Sequence, residues 1–164
     1  MKSLLIIPVI LLVIAACNNS SESSADNKDT MNHEGHMAGG NTNDVPMPEI
    51  PENAKVFFSN LKDGQEVTSP FKVEMGVEAL SVDTANGILK AASGHHHILI
   101  DIDSIATGQV IPKDSVHLHY GNAQTSAELK LPPGKHTLTL QFADASHRSY
   151  GNRLNSEITV DVKQ

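Results

Sequence analysis

The sequence predicts an all-β fold: an immunoglobulin-like β-sandwich of about seven strands, preceded by a disordered tether. Three observations lead there. From Lys55 onward, short β-type runs follow one another at the spacing of a sandwich, separated by Gly, Pro and Asp turn signals. Several of these runs alternate apolar and polar residues, which gives a strand one buried face. No segment of the chain carries a convincing helical period.

Taken in order, Lys55-Val56-Phe57-Phe58 is the first expected strand and Asp63-Gly64 a turn. Phe71, Val73, Met75 and Val77 form the apolar side of a second strand. A third runs over residues 97–102 and is entered through Gly94. Residues 116–120, 126–131, 136–142 and 157–162 complete the set, with Pro132-Pro133-Gly134 expected as a hairpin-like turn.

Upstream of these runs the composition is different. Lys2 and the apolar run Leu4–Ile14, too short for a comfortable membrane span, have the form of a signal peptide. Ile14-Ala15-Ala16-Cys17 resembles the lipobox of bacterial lipoproteins, which implies that residues 1–16 are removed and that Cys17 is lipidated. This is the only cysteine, so the reading leaves no thiol for a disulfide, a metal or nucleophilic catalysis. Residues 17–53 are rich in Ser, Asn, Asp and Gly, then in Pro, and bury too little apolar surface to offset their ordering entropy. They are expected to tether a domain over residues 54–164 to the membrane of a bacterial cell envelope, facing the periplasm or the cell surface.

The chain has 19 acidic and 12 basic residues, a net charge of −7, and no tryptophan. That sign repels nucleic-acid phosphates and suits cations. The histidines give the cations a place to bind. Seven of the nine lie between His95 and His147, nearly all in or beside expected strands. Imidazole is the commonest ligand of borderline transition metals, and residues i and i+2 of a strand point to one face. Alternation puts His95 and His97 with Leu99 and Asp101 on the less apolar face, and His96 with Ile98, Ile100 and Ile102 on the core face. His117 and His119 form a second pair opposite Val116, Leu118 and Tyr120. If the two strands are neighbours, three or four imidazoles converge.

His136 heads the apolar row Leu138, Leu140, Phe142, where a histidine is either structural or an added ligand. His147 follows Asp144 in an expected loop; Asp144 either orients His147 or His119 or caps a turn through its own backbone. In the tether, Met31, His33, His36 and Met37 combine thioether and imidazole donors, a set that suits copper. The alternative there is a plain polar linker.

The folded part also resembles a bacterial family known as domain of unknown function 4399. The residues that carry the resemblance are Phe57-Phe58 with Asp63-Gly64, Ser69-Pro70, Gly94-His95-His96-His97 with Asp101, and His119-Tyr120-Gly121 with Gln124-Thr125. Leu131 with Pro133-Gly134-Lys135-His136-Thr137-Leu138, Asp144 with His147, and Ser156-Glu157-Ile158 continue it. The resemblance implies a small extracytoplasmic β-domain and brings no established activity. It takes in His95, His97, His119, His136 and His147 and leaves His96 and His117 outside, which implies His95, His97 and His119 as the principal ligands.

The function expected from the sequence is therefore a non-enzymatic lipoprotein that binds copper, or alternatively zinc, for buffering, delivery or resistance. A metal-donor or metal-acceptor protein would be its partner. Neutral imidazole is the ligand form, so affinity is expected to fall as the pH drops through about 6.5. Two other classes compete: an envelope interaction module whose histidines are structural, and a metalloenzyme with an open coordination position. No serine or cysteine nucleophile motif supports the last.

Overall fold

The computed structural model describes residues 45–163, which form nine strands and one 3-10 turn. β1 (Lys55–Phe58), β3 (Phe71–Glu78) and β7 (Ser126–Leu129) make an antiparallel sheet in the order β1-β3-β7. β2 (Gln65–Thr68), β4 (Ser81–Val82), β5 (Ser93–Ile100), β6 (His117–Tyr120), β8 (Gly134–Ala143) and β9 (Asn155–Lys163) make the larger one. Its order is β2-β9-β8-β5-β4, with β6 also paired to β5. The fold is all-β, and the two sheets pack as a sandwich.

The expected strands are all present, with ends shifted by a few residues. β2 and β4 were not legible. Gln65-Glu66-Val67-Thr68 is mostly polar and half exposed, and becomes a strand only because β9 offers it a parallel partner. Ser81-Val82 is two residues long and pairs with Ser93-Gly94. The Asp63-Gly64 turn is present, with Gly64 at a φ of 74° and the Asp63 carboxylate accepting the Thr159 N–H at 2.8 Å.

Pro132-Pro133-Gly134 is not a hairpin. β7 pairs with β3 in the small sheet, whereas β8 pairs with β5 and β9 in the large one. The two prolines, which lack N–H groups, carry the chain from one sheet to the other.

Between the sheets lies the main core. Val56, Phe58, Phe71, Val73 and Met75 from the small sheet meet Ile98, Ile100, Leu138, Leu140, Phe142, Val160 and Val162 from the large one. Each fully buried side chain of this kind stabilises the fold by about 1.5–3 kcal/mol.

The outer face of the large sheet is covered too, and Ile102, expected with Ile98 and Ile100 on the core face, lies there instead, because β5 ends at Ile100 and Asp101 turns the chain at a φ of 55°. Leu99, Ile111 and Ala143 form a second apolar cluster, joined by Ile102 and Ile105 from the long β5–β6 connection. That connection is stitched down by hydrogen bonds: Ile105 N–H to the Gln141 side chain, Gly108 N–H to Ser149 O and Ile111 N–H to His147 O. All eight residues of β5 are consequently buried.

Residues 45–53, taken from sequence as the end of the tether, also lie against the domain. Met47 and Ile50 pack on the core, and the Arg153 guanidinium donates to the carbonyls of Pro51, Glu52 and Ala54. Pro46, Pro48 and Pro51 stiffen a docked strap here rather than a free spacer.

Candidate metal centre

β5 and β6 are antiparallel neighbours, and their register sets His97 directly opposite His119 and Leu99 opposite His117. Paired residues share a sheet face, so His95, His97 and His119 all project from the outer face of the large sheet. β8 presents Ala143 and Gln141 beside His95 and His97, small or hydrogen-bonded groups that leave room for the imidazoles. The fourth ring comes from the turn after β8, where His147 lies beside His119.

The rings are close on every side. Centroid separations are 4.8 Å for His95–His97, 5.0 Å for His95–His119, 5.0 Å for His95–His147 and 4.8 Å for His119–His147. His95 Nε2 and His97 Nε2 are 2.9 Å apart, and His119 Nε2 and His147 Nε2 are 3.1 Å apart. Two nitrogens bound to one ion at about 2.0–2.1 Å would be separated by about 2.9 Å at a right angle and about 3.3 Å at the tetrahedral angle. Both contacts are imidazole–imidazole hydrogen bonds, and their lengths also fall within the range two ligands of one ion would have. His95, His97 and His119 form a group whose ligand atoms all lie within 4.8 Å of one another, close enough to hold a metal ion.

Burial makes the set electrically suited to the task. His95, His96 and His97 are fully buried, while His119 and His147 are half-buried. Desolvation, helped by the neighbouring rings, pushes the His95 imidazolium pKa down to about 3 and that of His97 to about 2. Desolvation also lowers that of His119, with His147 and Lys113 adding to the effect. These rings are neutral at pH 7 and need shed no proton to bind an ion. Burial thus favours the neutral, ligand form of both rings below the pH at which a free imidazole would charge.

His95 Nδ1 and His97 Nδ1 have no hydrogen-bond partner among the described residues. A metal-bound imidazole ordinarily donates its second N–H to a carboxylate or carbonyl, which raises its basicity.

The remaining sequence candidates are placed elsewhere. His117 shares the outer face, but its Nδ1 contacts both Asp114 carboxylate oxygens at 2.9 and 3.0 Å. His136 is satisfied at both nitrogens, by Asp101 at 2.8 Å and the Pro132 carbonyl at 3.1 Å, which is the structural arrangement. Asp144 does not touch an imidazole; it pairs with Arg148 and accepts the Ser146 and Arg148 N–H groups, the turn-capping alternative. His96 faces the core, edge-on to Phe142 at 5.1 Å, with neither ring nitrogen partnered. Cys17, Met31, His33, His36 and Met37 lie outside the described residues.

Two contributors escaped the sequence reading. Arg148 is 5% exposed and forms the buried ion pair with Asp144; from sequence it is only the residue after His147. Gly121 lies against the His119 ring, and a Cβ there would overlap His119 Cε1 and Nε2. Gly121→Ala should therefore displace the His119 ring and reduce ion affinity by about 10–100-fold, the range seen when ligand-orienting contacts are lost. Isothermal titration of the variant against wild type checks this; unchanged affinity would show that His119 is not a ligand.

Residues 73–163 match the model of a family described as a domain of unknown function (DUF4399), a span of more than half the chain. The chain belongs to this family. The DUF4399 stretch begins within β3, ends with β9 and contains all four clustered histidines; β1 and β2 lie before it. No curated protein and no solved structure matches the chain.

Proposed function

We propose that this DUF4399 domain binds a single transition-metal ion through His95, His97 and His119, without catalysing a reaction, and serves metal buffering, delivery or resistance. The observation that carries the reading is the register pairing His97 with His119, with His95 on the same face. Copper is favoured over zinc because Met31, His33, His36 and Met37 of the tether combine thioether and imidazole donors, a set that suits copper. The leader and Cys17 support a lipid-anchored protein of the bacterial envelope, with a metal-donor or metal-acceptor protein as its partner.

The test is stoichiometric titration of the chain with Cu(I), Cu(II) and Zn(II), beside a variant carrying His95→Ala, His97→Ala and His119→Ala. One ion per chain, lost in the triple variant, is the expected result. An absence of binding by wild type would end the metal reading and leave an envelope interaction module with structural histidines. The Asp114–His117 and Asp101–His136 contacts already show two histidines used in that structural way.

A further inference from the structure

The turn that carries His147 is built with more care than a loop connecting β8 to β9 requires. His147 has a φ of 66°, in the left-handed region that non-glycine residues seldom occupy. Every neighbouring polar group helps to keep it there. The Asp144 carbonyl accepts the His147 N–H at 2.9 Å, and the His147 carbonyl accepts the Ile111 N–H at 2.9 Å. The Asp144 carboxylate is fully buried; one oxygen accepts the Ser146 and Arg148 N–H groups at 2.8 and 3.0 Å, and the other accepts Arg148 Nε at 2.8 Å. The guanidinium in turn donates to the carbonyls of Val45 and Pro46, so the ion pair is anchored from outside as well. The outcome of these contacts is one ring position: His147 Nε2 lies 3.1 Å from His119 Nε2, and its centroid lies 5.0 Å from that of His95 and 6.2 Å from that of His97.

We propose that His147 is the fourth ligand of the ion, and that Asp144 and Arg148 are positioning residues that present it. The inference deepens the metal-binding reading and rests on it. It makes the centre a closed four-nitrogen site, with the fully buried His95 and His97 as its floor and the half-buried His119 and His147 as its mouth. Around a tetrahedral ion such as Cu(I) or Zn(II), four protein ligands leave no open position for a substrate, which is the arrangement of a holding site. Strain in a backbone that is fixed on all sides is a feature of sites that hold a group in place before its partner arrives.

The experiment uses the full chain loaded with Cu(II) and reads the number of bound nitrogens by electron paramagnetic resonance and X-ray absorption, together with affinity by competition. The key variant is His147→Gly, since glycine occupies a φ of 66° without strain and the turn should still fold. Wild type should show four nitrogens and His147→Gly three, with weaker affinity; added imidazole should restore the fourth nitrogen. Asp144→Asn should weaken binding by about 10–100-fold through the same nitrogen, so that His147→Gly adds little on top of it. Unchanged nitrogen count and affinity in His147→Gly would overturn the proposal while leaving the three-histidine reading intact. Failure of wild type to take up any of Cu(I), Cu(II) and Zn(II) would overturn both.

Discussion

A saturating transition-metal ion should raise the thermal unfolding midpoint of the chain by about 10–20 °C. An ion that binds the native state alone stabilises it by RT ln(1 + [L]/Kd), about 4 kcal/mol at a thousandfold excess over Kd. For domains near this size, 1 kcal/mol shifts the midpoint by a few degrees, roughly 2–8 °C. The unfolded chain keeps its histidines and retains some affinity, which holds the expectation toward the lower half of the product. The assignment of ligands makes the pattern specific. His119→Ala should remove most of the rise, because it deletes the ring facing His97 across the β5–β6 ladder. His136→Ala should leave the rise intact, since that ring is committed to Asp101 and Pro132. Scanning calorimetry with Cu(II), Zn(II) and a chelator checks the set. A midpoint that ignores both ions, or a rise that survives His119→Ala, would contradict the site.

The relation of His95 and His97 to His119 could be derived from sequence because it depends on two short-range rules. Side chains alternate along a strand, and consecutive strands often pair, so two His-x-His segments on the less apolar faces of their strands converge once those strands are neighbours. Burial was not derivable in the same way. It depends on the β5–β6 connection folding back over the outer face, and Ile102, Ile105 and Ile111 announce that only once Leu99 and Ala143 are known to lie beneath them. Nor could His147 be placed. Its ring reaches the cluster through a left-handed backbone position set by a buried Asp144–Arg148 pair, and the local sequence Asp-Ala-Ser-His-Arg allows many turns. The hairpin expected at Pro132-Pro133-Gly134 failed for a similar reason: turn chemistry says where a chain bends, but only the two sheets decide which strand it joins.

In the metal-free chain the same burial should make the fold sharply sensitive to acid above the carboxylate range. Desolvation holds His95, His96 and His97 at about 3, 4 and 2, whereas each titrates near 6.5 when unfolded. A folded-state value below the unfolded one means that the unfolded chain binds more protons throughout the interval between them, so stability falls as the pH falls. The contribution is fully present above about 6.5 and is lost progressively down to about 4 for His96, about 3 for His95 and about 2 for His97. Each ring costs about 1.4 kcal/mol per pH unit, so three cost about 6 kcal/mol between pH 6.5 and 5. That is comparable to the whole stability of many domains, about 5–15 kcal/mol. Denaturant unfolding at pH 7 and pH 5, with the metal removed, measures it directly. His96 separates this effect from ion binding, because it faces Phe142 in the core and does not join the cluster. His96→Leu should reduce the pH dependence by about a third and preserve metal uptake. A stability that stays flat between pH 7 and 5 would mean that these rings accept protons while the chain is folded. The face carrying His95 and His97 would then open to water readily.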